Sequence, residues 1–264
     1  MLLRATCELS FEIEVPTPFV LMLRPRSGAQ QWVAREVYAL TPSIPAVEFT
    51  DRNGNLCQRL IASPGDFRVH TSADVLTSDV FDEDPYAPFV EIQYLPDSVL
   101  EFLLPSRYCE TDRLGDTAKA IVGDLPPGYA QIAAITEWVR RSIRYNTASS
   151  PVPVSALEAM NRGEGVCRDI AHLAIALSRA LCIPARYVVG YLHGLEPMDA
   201  HAWFEAYLGG RWYTFDPTQV SLRGGRIAIA YGRDATDVAL YNQYGPLVLP
   251  YYMNVEVKAL TETD

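Results

Sequence analysis

The sequence predicts an α+β protein, with an N-terminal all-β domain over residues 1–104 and a mixed core over 105–264 that includes the C-terminal β segment. Three observations carry this. Apolar and polar residues alternate strictly at the start of the chain. Closely spaced turn residues punctuate the first hundred positions. Helical spacing then takes over beyond Pro105, and β patterning returns from Ala185.

Each element has its own justification. In residues 1–15, Leu3, Ala5, Cys7, Leu9, Phe11, Ile13 and Val15 hold the odd positions, and mostly polar residues hold the even ones. Side chains alternate across a strand with period 2, so this is a strand with one buried face and Cys7 on it. Turn chemistry follows at Pro16–Pro18, Arg26–Gly28, Pro42–Pro45, Asp51–Gly54 and Ser63–Gly65, and Asn53-Gly54 marks a hairpin. Phe67, Val69, Thr71, Ala73 and Val75 alternate again. Helices are predicted over 116–124 and 128–144, the second from Ile132, Ile135, Val139 and Ile143. Ser155 with Glu158 reads as a capping box opening a short helix. Ile170, Leu173, Ala174, Leu177 and Leu181 recur at helical spacing, so a buried helix runs from Cys167 to Pro184. Residues 185–216 and 226–260 read as β.

Composition excludes several classes. With 264 residues and 49% hydrophobic content, the chain supports a sizeable core, and disorder is not expected. No run reaches the ~18 apolar residues of a membrane helix. Twenty-two Lys and Arg against 32 Asp and Glu give a net charge of −10. Nucleic acid and anionic membrane are therefore not expected partners, since both demand a basic surface. The N-terminus lacks the uninterrupted apolar stretch of a secretory signal, so a cytoplasmic location is expected. There are five cysteines, Cys7, Cys57, Cys109, Cys167 and Cys182. An odd count cannot pair completely within one chain, so at least one thiol is free.

Cys167 is the thiol that the pattern singles out. It opens the helix, where unpaired backbone N–H groups and the positive end of the helix dipole favour a thiolate and hold an oxyanion. A nucleophilic cysteine needs a base, and the base needs an orienting partner. Residues 199–218, DAHAWFEAYLGGRWYTFDPT, read as a hairpin turning at Gly209-Gly210. Opposing residues in that hairpin have numbers summing to 419, so Trp203 faces Asp216 and His201 faces Thr218. His201 and Asp216 then project from the same side as diagonal neighbours, about 7–8 Å apart in the strand frame. This gives a Cys167–His201–Asp216 arrangement: nucleophile, general base and acid, and orienting carboxylate.

The block GEGVCRDIAHLAIALSRALCIPARYVVGY, followed by DAHAWFEAYLGGRWYTFDPT, resembles the Cys, His and Asp blocks of the transglutaminase-like superfamily. LLPSRYCETD at 103–112 and GRDATDV at 232–238 are similar to the bacterial, cysteine-protease-like branch, in which a β domain precedes a papain-like core. The resemblance implies an α+β, papain-like transglutaminase core with an N-terminal all-β domain. It places Cys167, His201 and Asp216 at the catalytic positions and implies thiol chemistry on amide bonds of a protein or peptide substrate. Hydrolysis, acyl transfer to an amine as in a protein–glutamine transglutaminase, and a catalytically silent binding module all occur within that superfamily.

Other candidates take lesser roles. Trp203, Tyr145, Asn146 and Arg168 are expected to line the cleft, with Tyr145 and Asn146 also candidates for the second oxyanion donor. Arg168 and Asp169 are read as holding the helix start. His172 lies about 140° around the helix from Cys167 and is assigned to packing. Cys7, Cys57, Cys109 and Cys182 are assigned to structure, Cys182 to the core. His193 is read as a loop residue, and Arg233 and Asp234 as structural. No cofactor, metal or calcium site is expected, because no ligand spacing for one is present. The sequence leaves the oligomeric state open.

Overall fold

The computed structural model describes residues 1–149, 152–220 and 223–261. Its N-terminal part holds β1 (Leu2–Ile13), β2 (Thr17–Leu21), β3 (Gln31–Thr41), β4 (Ala46–Thr50), β5 (Leu56–Ala62) and β6 (Gly65–Thr77). The middle contributes α1 (Asp97–Leu100), α2 (Gly115–Val122), α3 (Tyr129–Ser142), β7 (Arg144–Tyr145), α4 (Ala156–Arg162), β8 (Glu164–Gly165) and α5 (Cys167–Ala180). After these come β9 (Ala185–Leu192), β10 (His201–Leu208), β11 (Arg211–Phe215), β12 (Arg226–Gly232), β13 (Tyr241–Gln243) and β14 (Tyr252–Ala259).

Alternation in β1 works as expected: Leu3, Ala5, Cys7, Leu9, Phe11 and Ile13 are all buried. β1 lies between β14 and β6, with β3 outside β6. A second antiparallel sheet has the order β13-β2-β5-β4. The two sheets share one apolar core, where the Phe11 ring lies 5.3 Å from Phe19 and 6.2 Å from Phe67.

The tail requires a correction to the expected domain boundary. The 226–260 stretch divides, because β12 joins the core sheet while β13 pairs with β2 and β14 with β1. Period 2 identifies a strand but not its sheet. The choice follows from β1, whose apolar face offers Cys7 and Ala5 opposite Val255 and Val257.

The core sheet is antiparallel, in the order β11-β10-β9-β12. The central helix α5 packs on β10 and β9, with α2, α3 and α4 also against it. Ile170 to Leu177 is buried without a break, so α5 is enclosed on all sides. α4 begins as predicted, with Ser155 Oγ accepting from the Glu158 amide, and ends at Gly163 in the left-handed region (φ 67°). Cys182 departs from its expected core position. It lies past the end of α5, exposed and with φ 60°, because the chain has already left the helix.

Candidate active site

α5 and the β10–β11 hairpin bring the three sequence-predicted residues together. Cys167 is the first residue of α5 and is half-buried. Its amide has no carbonyl four residues back to bond, as at any helix start. Asp169 fixes this start: its carboxylate accepts from the Val166 amide (3.2 Å), the Val154 amide (3.5 Å) and Arg168 Nε (3.0 Å). Arg168 also donates to the Val152 carbonyl (2.9 Å), so its guanidinium braces the helix start against the preceding loop.

The hairpin pairs Leu208 with Arg211 and Phe204 with Phe215, the register that the 419 sum requires. The turn uses positive φ at both Gly209 (56°) and Gly210 (92°), which glycine adopts without strain. His201 opens β10, and Asp216 follows the last residue of β11. Their side chains meet, with His201 Nε2 2.8 Å from Asp216 Oδ2. Both groups are almost wholly buried. Two residues not singled out from sequence complete the carboxylate's shell. Thr218 donates to Oδ1 from its hydroxyl (2.7 Å) and its amide (3.1 Å), and Arg226 Nη2 donates to Oδ2 (2.9 Å). The Asp-Pro-Thr triplet carries a local signal for Thr218, since a threonine two residues after an aspartate is well placed to bond its carboxylate. Arg226 arrives on another strand and has no local signal.

Electrostatics follow from this arrangement. Burial alone depresses the basicity of His201. The charge and hydrogen bond of Asp216 oppose that, the Cys167 thiol adds to them, and the imidazole rises to about 9. Burial opposes ionisation of Asp216, but His201, Arg226 and Thr218 together hold it well below the usual carboxylate range. Nε2 faces Asp216, with Thr218 Oγ1 at 3.5 Å. Nδ1 is buried and has no hydrogen-bond partner among the described residues, so it is the ring atom available to the thiol.

The remaining expected cleft residues divide. β7 pairs with β8 immediately before Cys167, setting Tyr145 opposite Gly165. Tyr145 is 48% exposed, and burial of its hydroxyl, reinforced by the nearby Cys167, Asp199 and Asp216, raises it to about 12. Its pairing with Gly165, two residues before Cys167, places its backbone beside the start of α5. The Asn146 side chain is engaged elsewhere, donating to Glu164 (3.3 Å) and accepting from the Ala148 amide (3.1 Å). Trp203 packs 6.0 Å from the His201 ring but lines a separate pocket of about 480 Å³, with Phe81, Gln31 and Arg226, whose lining does not include Cys167. It backs the histidine and does not face the thiol.

Residues 115–217 match the model of the transglutaminase-like superfamily. The chain is 32% identical over 236 residues to the uncharacterized protein ML0607 of Mycobacterium leprae, covering 82% of each chain. It is 38% identical over 109 residues to the uncharacterized protein Rv2569c of Mycobacterium tuberculosis, covering 36% of this chain and 35% of that one. Among solved structures, a putative cysteine protease from Cytophaga hutchinsonii superposes with a TM-score of 0.91 at 35% identity, over 99% of this chain and 91% of that one. With the helix-borne cysteine and the hairpin-borne histidine and aspartate in place, the chain belongs to the transglutaminase-like superfamily.

Proposed function

We propose that the protein is a thiol-dependent hydrolase of amide or peptide bonds, with Cys167 as nucleophile, His201 as base and acid, and Asp216 as orienting carboxylate. One observation carries the reading. His201 is fixed through Nε2 at 2.8 Å from a buried carboxylate, while Nδ1 is left bare beside a thiol at a helix start. The Cys167 proton passes to His201 Nδ1, and Sγ attacks the carbonyl carbon. The C=O electron pair moves onto oxygen, which the first-turn amides of α5 stabilise. The C–N bond then breaks as the imidazolium returns its proton to the departing amine, leaving a thioester. Water, deprotonated by His201, attacks the thioester, and the acid leaves as the thiol is restored. Asp216 keeps the ring oriented and stabilises the imidazolium throughout.

The substrate class is a neutral or basic peptide or protein amide, consistent with the chain's charge of −10. A reducing, cytoplasmic setting suits a protein in which all five cysteines are free, and cell fractionation tests it. Activity is tested with a library of cysteine-reactive acyl peptides and mass spectrometry of the adduct. Acylation of Cys167, followed by release into water, is expected. A labelled amine that outcompetes water would turn the assignment to acyl transfer. Absence of any Cys167 acyl adduct, with amide turnover unchanged in Cys167→Ala, would end it.

A further inference from the structure

The N-terminal β domain grips the outer edge of β12 with side chains where a neighbouring strand would normally bond. Gln31 forms a pair of hydrogen bonds with Ala228: Nε2 donates to its carbonyl and Oε1 accepts from its amide, both at 2.8 Å. Asn55 repeats the pattern on Tyr231, at 2.7 Å to the carbonyl and 2.8 Å from the amide. Thr77 Oγ1 donates to the Arg226 carbonyl (2.9 Å), and the Gly225 amide donates to the Ser78 carbonyl (2.8 Å). Gln31 and Asn55 are both buried. The strand held in this way delivers Arg226, whose side chain is 9% exposed, to the same Asp216 oxygen that holds His201.

We infer that Arg226 is a positioning residue for Asp216, and that the β domain completes the active site by holding β12 so that Arg226 reaches the carboxylate. The inference rests on the hydrolase reading for its effect on turnover, but the contact network stands apart from it. Arg226 shares Oδ2 with His201, at 2.9 and 2.8 Å, and so does two things. It fixes the carboxylate's orientation, and it sets a second cation close to the imidazolium. The charged and titratable groups about His201 are Asp216, Cys167 and Asp199, with Arg226 beyond Asp216. Removing Arg226 leaves the whole attraction of Asp216 to the imidazolium while loosening the carboxylate.

The test follows the His201 ring protons by NMR through a pH titration, alongside kcat and KM for amide hydrolysis, in Arg226→Gln and Arg226→Lys. In Arg226→Gln the His201 midpoint is expected to rise by about one unit while kcat falls about tenfold and KM changes little. Arg226→Lys retains the charge and should keep the midpoint near that of the unaltered protein. A midpoint that stays put or falls in Arg226→Gln overturns the inference, since a purely structural role does not raise it. Should Arg226→Gln fail to fold, the double variant Gln31→Leu, Asn55→Leu decides. It frees β12 without touching the catalytic groups, and a kcat within twofold of the parent would reject the role of the β domain. If Cys167→Ala leaves hydrolysis intact, the hydrolase reading fails, while the His201 titration still judges the contact.

Discussion

Two clusters on the same central helix contain the same four residue types and behave in opposite ways. Cys167, His201, Asp216 and Arg226 surround the start of α5. Cys109, His172, Asp234 and Arg179 surround its middle and end. Each aspartate is even followed by a threonine two positions later, Thr218 and Thr236. The difference lies in what the hydrogen bonds join. Asp216 aims an oxygen at His201 Nε2. Asp234 instead accepts from the Tyr108 and Thr236 amides, both at 2.8 Å. Arg226 bonds the carboxylate, whereas Arg179 donates to the carbonyls of Leu104, Ala185 and Arg233. The His172 ring accepts from the Ala235 amide at Nε2 (3.1 Å) and faces the Val154 carbonyl through Nδ1 (3.4 Å). One nitrogen must accept and the other donate, so this ring is neutral. Burial then drives His172 downward and Cys109 up to about 12, while His201 rises to about 9. Composition of a cluster therefore does not set the state of its histidine. A side-chain carboxylate on the ring raises its basicity, and backbone partners on the ring hold it neutral.

The sharpest way to break this comparison is to remove one member from each cluster. Cys167→Ala and His201→Ala are each expected to reduce amide hydrolysis by about 10⁴-fold or more. Cys109→Ala and His172→Leu should leave the rate per folded molecule within a few-fold. His172→Leu strands the Ala235 amide and should destabilise by about 1–3 kcal/mol. Steady-state rates normalised to folded protein decide the matter, and a loss of turnover in Cys109→Ala matching that of Cys167→Ala would erase the distinction.

The carboxylates come next. Burial is the largest single influence on His201, and Asp216→Asn removes the main part of what offsets it, so His201 should fall by two units or more and turnover by about 10²- to 10⁴-fold. Asp234→Asn should move neither. The alkaline limb of the pH–rate profile reports both.

The two histidines also give stability opposite slopes with pH. His201 has a folded value raised above its ordinary 6.5, so its pairing contributes fully below pH 6.5 and is lost as pH climbs through about 9. That contribution is on the order of 3 kcal/mol. His172 is depressed, so its contribution is present above pH 6.5 and is lost as pH falls below that value toward its lower folded value. Urea unfolding between pH 5 and 10 should show both limbs. Only the alkaline limb should vanish in His201→Ala, and only the acid limb in His172→Leu.

Much of this was legible in the sequence because it is local. Alternation placed β1, the capping pair at Ser155 and Glu158 placed α4, and the Gly209-Gly210 turn fixed the register that brings His201 to Asp216. What escaped depends on which distant strand becomes a neighbour. β13 and β14 leave the core for the first two strands of the chain, and Arg226 reaches Asp216 from β12, a strand whose outer edge is bonded by the distant Gln31, Asn55 and Thr77. Trp203 shows the same limit. Its parity with His201 was correct, yet parity does not say that the space beside it opens away from the thiol.

The smallest effect concerns the paired threonines. The Thr218 hydroxyl donates to Asp216 Oδ1 at 2.7 Å, in addition to its amide at 3.1 Å. Thr236 contributes only its amide to Asp234, at 2.8 Å, and is exposed. Thr218→Val keeps the side-chain shape and the amide bond but deletes one hydrogen bond to a buried charge, a loss of about 1.5–3 kcal/mol. Because the amide and Arg226 still hold the carboxylate, the fall in turnover should stay within about tenfold. Thr236→Val should change stability by no more than about 0.5 kcal/mol, as for other surface substitutions. Matched unfolding curves and rates for the two variants measure the contrast. Equal effects would mean that the Thr218 hydroxyl bond to Asp216 does not distinguish the two clusters, and that the aim of the carboxylate at His201 is set by the backbone and Arg226.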